Sequence, residues 1–238
     1  MNTQLKTGWA RVLLLIGVAF AANVKAAVIT TLSQNAPTDN VFASYDGAGT
    51  SGSIAWVDTG TGTTPLRQVA QTFTVGGDFV MTDLTLSITG LNNSMTAASS
   101  FTLSIYEAAS KPASATSGTL ISTQAGTVQV AKEDVPAYLD LQLGDAVNLS
   151  AGKYYTFVLK WDSAASYNSI TFQKGSPFDD GFYWDSTNGT SWTSIATQSL
   201  VFYAEGTPAV PEPSVTAFLV PFAGLGIWWR LRARQFKS

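Results

Sequence analysis

The stretch Phe101-Thr102-Leu103-Ser104-Ile105-Tyr106-Glu107 decides the fold. Apolar residues at Phe101, Leu103 and Ile105 alternate with Thr102 and Ser104, and a period of two is a strand with one buried face. Working outward, the same alternation appears upstream at Leu84, Leu86 and Ile88. It recurs downstream at Leu139, Leu141 and Leu143, then at Tyr155, Phe157, Leu159 and Trp161. Further strands are predicted at Val28–Leu32, Ile54–Val57, Val69–Val75, Ile121–Val130, Ser169–Phe172, Phe182–Trp184 and Leu200–Tyr203. Turn chemistry separates them, as at Thr59-Gly60-Thr61-Gly62, Gly76-Gly77-Asp78, Leu91-Asn92-Asn93 and Ser150-Ala151-Gly152. Asn188-Gly189 predicts a two-residue hairpin that pairs Tyr183–Asp185 with Ser191–Thr193. No long 3.6-residue period competes. About ten short strands at this spacing predict an all-β fold, an antiparallel two-sheet sandwich of the jelly-roll type.

The body so defined runs over residues 27–206, enough for one domain that buries roughly 70% of its unfolded surface. Residues 1–26 read as a secretory signal peptide. Lys6 and Arg11 form its positive start, Val12 to Ala22 its apolar stretch, and Val24-Lys25-Ala26 puts small residues at the cleavage offsets. Lys111 to Gly118 is a low-complexity stretch that reads as a surface loop. Residues 207–214 read as a proline-rich linker that contains Val210-Pro211-Glu212-Pro213. An apolar run follows at 215–229, and a basic tail at 230–238 carries Arg230, Arg232, Arg234 and Lys237. As a helix the apolar run would be roughly 22 Å long, short against a bilayer core of about 30 Å. The four cations predict a cytoplasmic end. The two prolines hold the junction extended and remove backbone donors.

The Pro211-Glu212-Pro213 motif, the apolar span and the Arg-rich end together resemble the PEP-CTERM sorting signals of Gram-negative bacteria. That resemblance implies recognition by a membrane-embedded cysteine transpeptidase, an exosortase. It further implies a transient inner-membrane anchor, processing at the motif, and a final place on the cell surface or in the extracellular, biofilm-type matrix. The alternative is an ordinary C-terminal anchor on a proline-rich stalk. The order of elements between Val69 and Tyr203 resembles the choice-of-anchor sandwich domains, type R in particular. The residues that carry it are Gln71-Thr72-Phe73-Thr74-Val75, the strand at Phe101–Glu107, and Leu149-Ser150-Ala151-Gly152-Lys153-Tyr154-Tyr155-Thr156-Phe157. That family implies surface display and no chemistry.

Composition narrows the rest. The formal charge is −3, but the cations lie mostly at the two ends. Between residues 27 and 213 the cations are Arg67, Lys111, Lys132, Lys153, Lys160 and Lys174, whereas all 16 acidic residues lie between Asp39 and Glu212. The exported part is therefore strongly acidic, which argues against nucleic acid as a partner. The chain has no Cys and no His. Ser-His-Asp catalysis, thiol chemistry and the usual zinc sites are excluded, and no phosphate-cradling loop occurs. The expectation is a non-enzymatic protein without a cofactor.

Three constellations are weighed against that expectation. Trp161, Tyr167, Phe178, Phe182, Tyr183, Trp184 and Trp192 are either sandwich core, the commoner fate of such rings, or a sugar-stacking surface. In the second case Tyr183, Trp184, Asp185 and Trp192 would touch a glycan of an extracellular polysaccharide, and the domain would be a carbohydrate-binding module. Alternation implies that Tyr183 and Trp184 cannot both be core. Asp179, Asp180, Asp185 and Asn188 supply oxygen ligands suited to Ca²⁺, but their spacing does not follow the helix-loop-helix calcium pattern, and solvated loop acids explain them. Finally, Glu133-Asp134 and Asp179-Asp180 are carboxylate pairs of the kind a glycosidase uses, though Glu133-Asp134, between Lys132 and Pro136, reads as a turn.

Overall fold

The computed structural model describes residues 27–47, 52–57, 67–91, 95, 97–162, 169–177 and 181–210. These form 14 strands and a single 3-10 turn at Lys132–Asp134, which places Glu133 and Asp134 in a turn as expected. The strands make two antiparallel sheets. The first is eight-stranded and contains β1 (Ile29–Ser33), β2 (Val41–Tyr45), β3 (Gly52–Val57), β5 (Phe79–Leu91), β8 (Ala137–Leu149), β10 (Ser169–Gly175), β13 (Ser199–Leu200) and β14 (Phe202–Pro208). The second runs β12 (Thr193–Ile195), β11 (Tyr183–Ser186), β4 (Gln68–Thr74), β9 (Tyr154–Trp161), β6 (Ser99–Ala108) and β7 (Thr119–Val128).

The alternating strips meet between the sheets. Leu84, Leu86, Ile88, Leu139, Leu141, Phe172 and Phe202 face Phe73, Phe101, Leu103, Ile105, Tyr155, Phe157 and Leu159 in one cluster. This is the face-to-face packing of a sandwich. Trp56 of β3 stacks on Trp161 of β9 with ring centroids 3.8 Å apart, so these rings span the two layers.

β5 is the spine of the eight-stranded sheet. β8 pairs along one flank of it, while β14 and β10 share the other. Opposite Thr82 the β5–β8 register jumps from Met81↔Val147 to Asp83↔Gln142, so Leu143–Ala146 form a bulge without register partners in β5. The Gln124 side chain catches this bulge, donating to the Asp145 carbonyl at 2.7 Å and accepting its N–H at 3.0 Å. Beside it the Val28 N–H donates to the Ala125 carbonyl and the Thr30 hydroxyl to that of Thr127, both at 2.8 Å. These contacts fasten the β1 edge of one sheet to the β7 edge of the other. Gly126 sits at the closure, where a Cβ would lie 2.6 Å from the Phe101 ring and 3.0 Å from Val28.

Two local expectations are corrected. The β11–β12 hairpin pairs Tyr183↔Ile195, Trp184↔Ser194 and Asp185↔Thr193, two residues away from the expected register. Asn188-Gly189 lies within the reversal but does not form a two-residue turn. The Asn188 carboxamide oxygen instead accepts from the N–H groups of Thr190 and Ser191 at 2.9 and 2.7 Å, and the Ser186 hydroxyl accepts from that of Gly189 at 2.9 Å. These bonds hold open a longer loop. β2 also went unforeseen, because Val41-Phe42-Ala43-Ser44-Tyr45 has no sustained alternation and gains its place by pairing with β14. β14 itself continues to Pro208, beyond residue 206.

Candidate functional site

The outer face of the eight-stranded sheet carries the most site-like arrangement. Residues on either side of the core-facing positions point outward, and register sets them in rows. Thr31 of β1, Asp140 of β8, Thr85 of β5 and Tyr203 of β14 share one row. Ser33, Tyr138 and Ser87 share the next, and Gln142, Asp83 and Glu205 the one on the other side. Two clefts open on this floor. One, of about 320 Å³, is walled by Asn35–Asp39 and floored by Ser33, Thr85, Asp140 and Glu205. The other, of about 280 Å³, adjoins it and is lined by Gln34, Ser87, Thr89, Pro136, Ala137, Tyr138 and Gln173.

Hydrogen bonds tie the floor together. The Thr85 hydroxyl lies 2.9 Å from Glu205 Oε1 and 3.3 Å from Asp140 Oδ1. It has one proton to donate and so serves one carboxylate at a time. The Thr31 hydroxyl donates to Asp140 Oδ2 at 3.2 Å, and Ser87 Oγ to Gln173 Oε1 at 2.9 Å. The Tyr138 and Tyr203 rings meet edge to face at 6.0 Å. Burial pushes the Asp140 carboxyl above its usual range, the Asp83 charge adds to this, and the Thr31 and Thr85 hydroxyls oppose it. Burial also raises Glu205; Thr85 opposes the shift, while Asp140 and Asp83 add to it. Asp140 and Glu205 are both half-buried and line the first cleft, where their oxygens can accept hydrogen bonds. Asp83, Asp140 and Glu205 do not converge on one point: among the described residues no group of three or more acidic side chains is placed to hold a metal ion.

Of the residues singled out for glycan contact, Tyr183, Trp184 and Asp185 lie on β11 of the other sheet and Trp192 in the loop before β12, and they do not form one exposed strip. Tyr183 points into the core with 0% of its surface exposed, and burial drives its phenol far above the usual value. Trp184 points the opposite way and is nevertheless 3% exposed. Alternation holds, but the outer face is covered as well. Trp184 packs with Ala70, Ala115, Val158 and Phe182, with Tyr106 and Trp192 at the margin. Its indole N–H donates to Thr72 Oγ1 at 2.9 Å, and Lys111 lies 4.5 Å over the Phe182 ring. The expectation that Tyr183 and Trp184 cannot both be core is therefore wrong, because the stretch around Lys111–Gly118 roofs a second apolar cluster. Asp185 and Trp192 are half-buried.

Tyr167, Phe178, Asp179 and Asp180 lie outside the described residues, as do Pro211, Glu212, Pro213 and the cations Arg230, Arg232, Arg234 and Lys237. The predicted leader at 1–26 and span at 215–229 lie outside them too. Among the described residues no helix is long and apolar enough to cross a membrane. The chain matches no protein-family model and no curated protein.

The sequence reading missed Thr85, Tyr138, Asp140, Tyr203 and Glu205 as a group. Asp140 carried a usable signal, since it stands between Leu139 and Leu141 and must face outward. Glu205 carried a weaker one, because it lies next to the proline-rich linker.

Proposed function

We propose that this is an exported, surface-sorted, non-enzymatic protein of the cell surface or extracellular polysaccharide matrix of a Gram-negative bacterium. On this reading the sandwich is of the jelly-roll type. A leader at residues 1–26 is removed. The span at 215–229 holds the chain in the inner membrane until an exosortase-like transpeptidase processes it near Pro211-Glu212-Pro213. The observation that carries the reading is how the chain leaves the sandwich. β14 ends at Pro208, the Ala209 N–H donates to the Asp78 carbonyl at 2.9 Å, and Val210 is 86% exposed. The motif thus begins where the described sandwich ends, next to an exposed residue, which suits an enzyme that must grip an extended peptide.

β14 also suits a tether. It lies between β2 and β5 and pairs with both. Detaching it would mean breaking the ladders to both neighbours.

Mass spectrometry of the mature protein from its native host tests the proposal. The expected product lacks residues 1–26 and ends near the motif, and changing Glu212 should make full-length precursor accumulate in the membrane. Recovery of the final surface form with an intact C-terminus through Ser238 would leave only the plain-anchor reading.

A further inference from the structure

We infer that the outer face of the eight-stranded sheet binds an uncharged, hydroxyl-rich polysaccharide chain, lying along the track from Glu205 and Asp140 to Tyr138 and Gln173. The inference deepens the display reading by naming the matrix component that the displayed domain grips.

Continuity of the track is the first argument. The two clefts share neighbouring rows: Ser33 abuts Gln34, Thr85 is two residues from Ser87, and Asp140 is two from Tyr138. From Thr85 to Thr89 the strand advances roughly 13 Å, room for a run of sugar rings rather than one small molecule.

The lining chemistry is the second argument. Hydroxyls, carboxamides and carboxylates predominate, and among the described residues neither cleft is lined by a Lys or Arg. An anionic polymer would meet half-buried carboxylates with nothing to neutralise it. An apolar ligand would strip water from acceptors and leave them unpaired. Sugar hydroxyls instead donate to Asp140 and Glu205 and accept from the carboxamides of Asn35 and Gln34, and charge-assisted bonds of this kind are the stronger ones. The Tyr138 ring lines the second cleft and offers a flat apolar surface to the C–H face of a pyranose.

Gel-retardation electrophoresis tests this. The full-length chain, held in non-ionic detergent, is run through gels containing galactomannan, xylan or hydroxyethyl cellulose, with alginate as the polyanionic control. We expect retardation in at least one neutral gel and none in alginate. Tyr138→Ala and Glu205→Gln should each weaken the retardation at least tenfold. Glu205→Gln keeps the shape and can still accept from Thr85, so that variant should lose no urea stability at neutral pH and stay informative if Tyr138→Ala unfolds. Absence of retardation in every neutral gel, stronger retardation in alginate, or undiminished binding by folded Glu205→Gln would overturn the inference. So would release of reducing ends from a gel polymer that is lost in Glu205→Gln, since the face would then be catalytic. Retardation retained by a mature protein with an intact Ser238 would sink the sorting reading alone.

Discussion

Replacing Trp184 by Ala should unfold the domain more readily, and should not merely erase a ligand contact. The side chain is 3% exposed and lies 4.9 Å, centroid to centroid, from Phe182. Removing a buried Trp leaves a cavity and costs about 3–5 kcal/mol. The lost indole bond to Thr72 adds only about 0.5–1.5 kcal/mol, because Thr72 keeps its 2.9 Å contact with the Thr156 hydroxyl. Domain stabilities are typically about 5–15 kcal/mol, so the loss is a large fraction of the whole. With a urea slope of roughly 2 kcal/mol/M, the midpoint should fall by about 2 M. Trp184→Phe, which keeps most of the packing and loses the hydrogen bond, should cost about 1 kcal/mol plus a smaller cavity term. Equilibrium urea unfolding followed by far-ultraviolet circular dichroism reads both. If Trp184→Ala shifted the midpoint by less than the phenylalanine variant is expected to, the outer cluster would not be packed. The ring would then face solvent, and the aromatic stretch would regain its claim as a sugar surface.

Two further outcomes follow from the same packing. Asp140 and Glu205 have folded-state values raised above the usual 3.8 and 4.5. Their contribution to stability is therefore fully present below those values and lost as pH rises through the raised ones. Stability should increase on mild acidification from neutral pH, the gain being reduced by the part-exposure of both groups. A flatter profile is expected in Glu205→Gln, and a wild-type midpoint that falls from pH 7 to pH 5.5 would contradict the assignment. Gln124→Ala removes both bonds to the Asp145 backbone and should cost about 1–3 kcal/mol. Faster hydrogen exchange should then be confined to the β8 bulge and the neighbouring β7 edge, and exchange unchanged there would show that Gln124 does not close the sandwich.

The sandwich was legible because its strongest strands each declare a buried face locally. Leu84–Ile88, Phe101–Ile105, Leu139–Leu143 and Tyr155–Trp161 all sit in the core as their alternation requires. The less legible elements owe their form to partners. β2 becomes a strand by pairing with β14, and the β11–β12 register is moved by side-chain bonds from Ser186 and Asn188 that no dipeptide rule contains. The β8 bulge depends on Gln124, which is 21 residues away from Asp145 and unremarkable in its own strand.

The candidate site was hidden for a related reason. Thr31, Thr85, Tyr138, Gln173 and Glu205 come from five strands, and each alone reads as the solvent-side residue of an amphipathic strand. Only the register, with Asp140 set between Thr31 and Thr85, makes them neighbours. The aromatic stretch misled in the opposite direction. Period two says which way Tyr183 and Trp184 point, but it does not say whether that direction ends in water. What covers Trp184 is Ala115 and its loop, packed there through small residues that look like low complexity in the sequence. A solvent-side prediction for a strand residue is thus a statement about one sheet. It holds only where no loop crosses that face, and here the loop crosses the face with the rings and leaves open the one with the carboxylates.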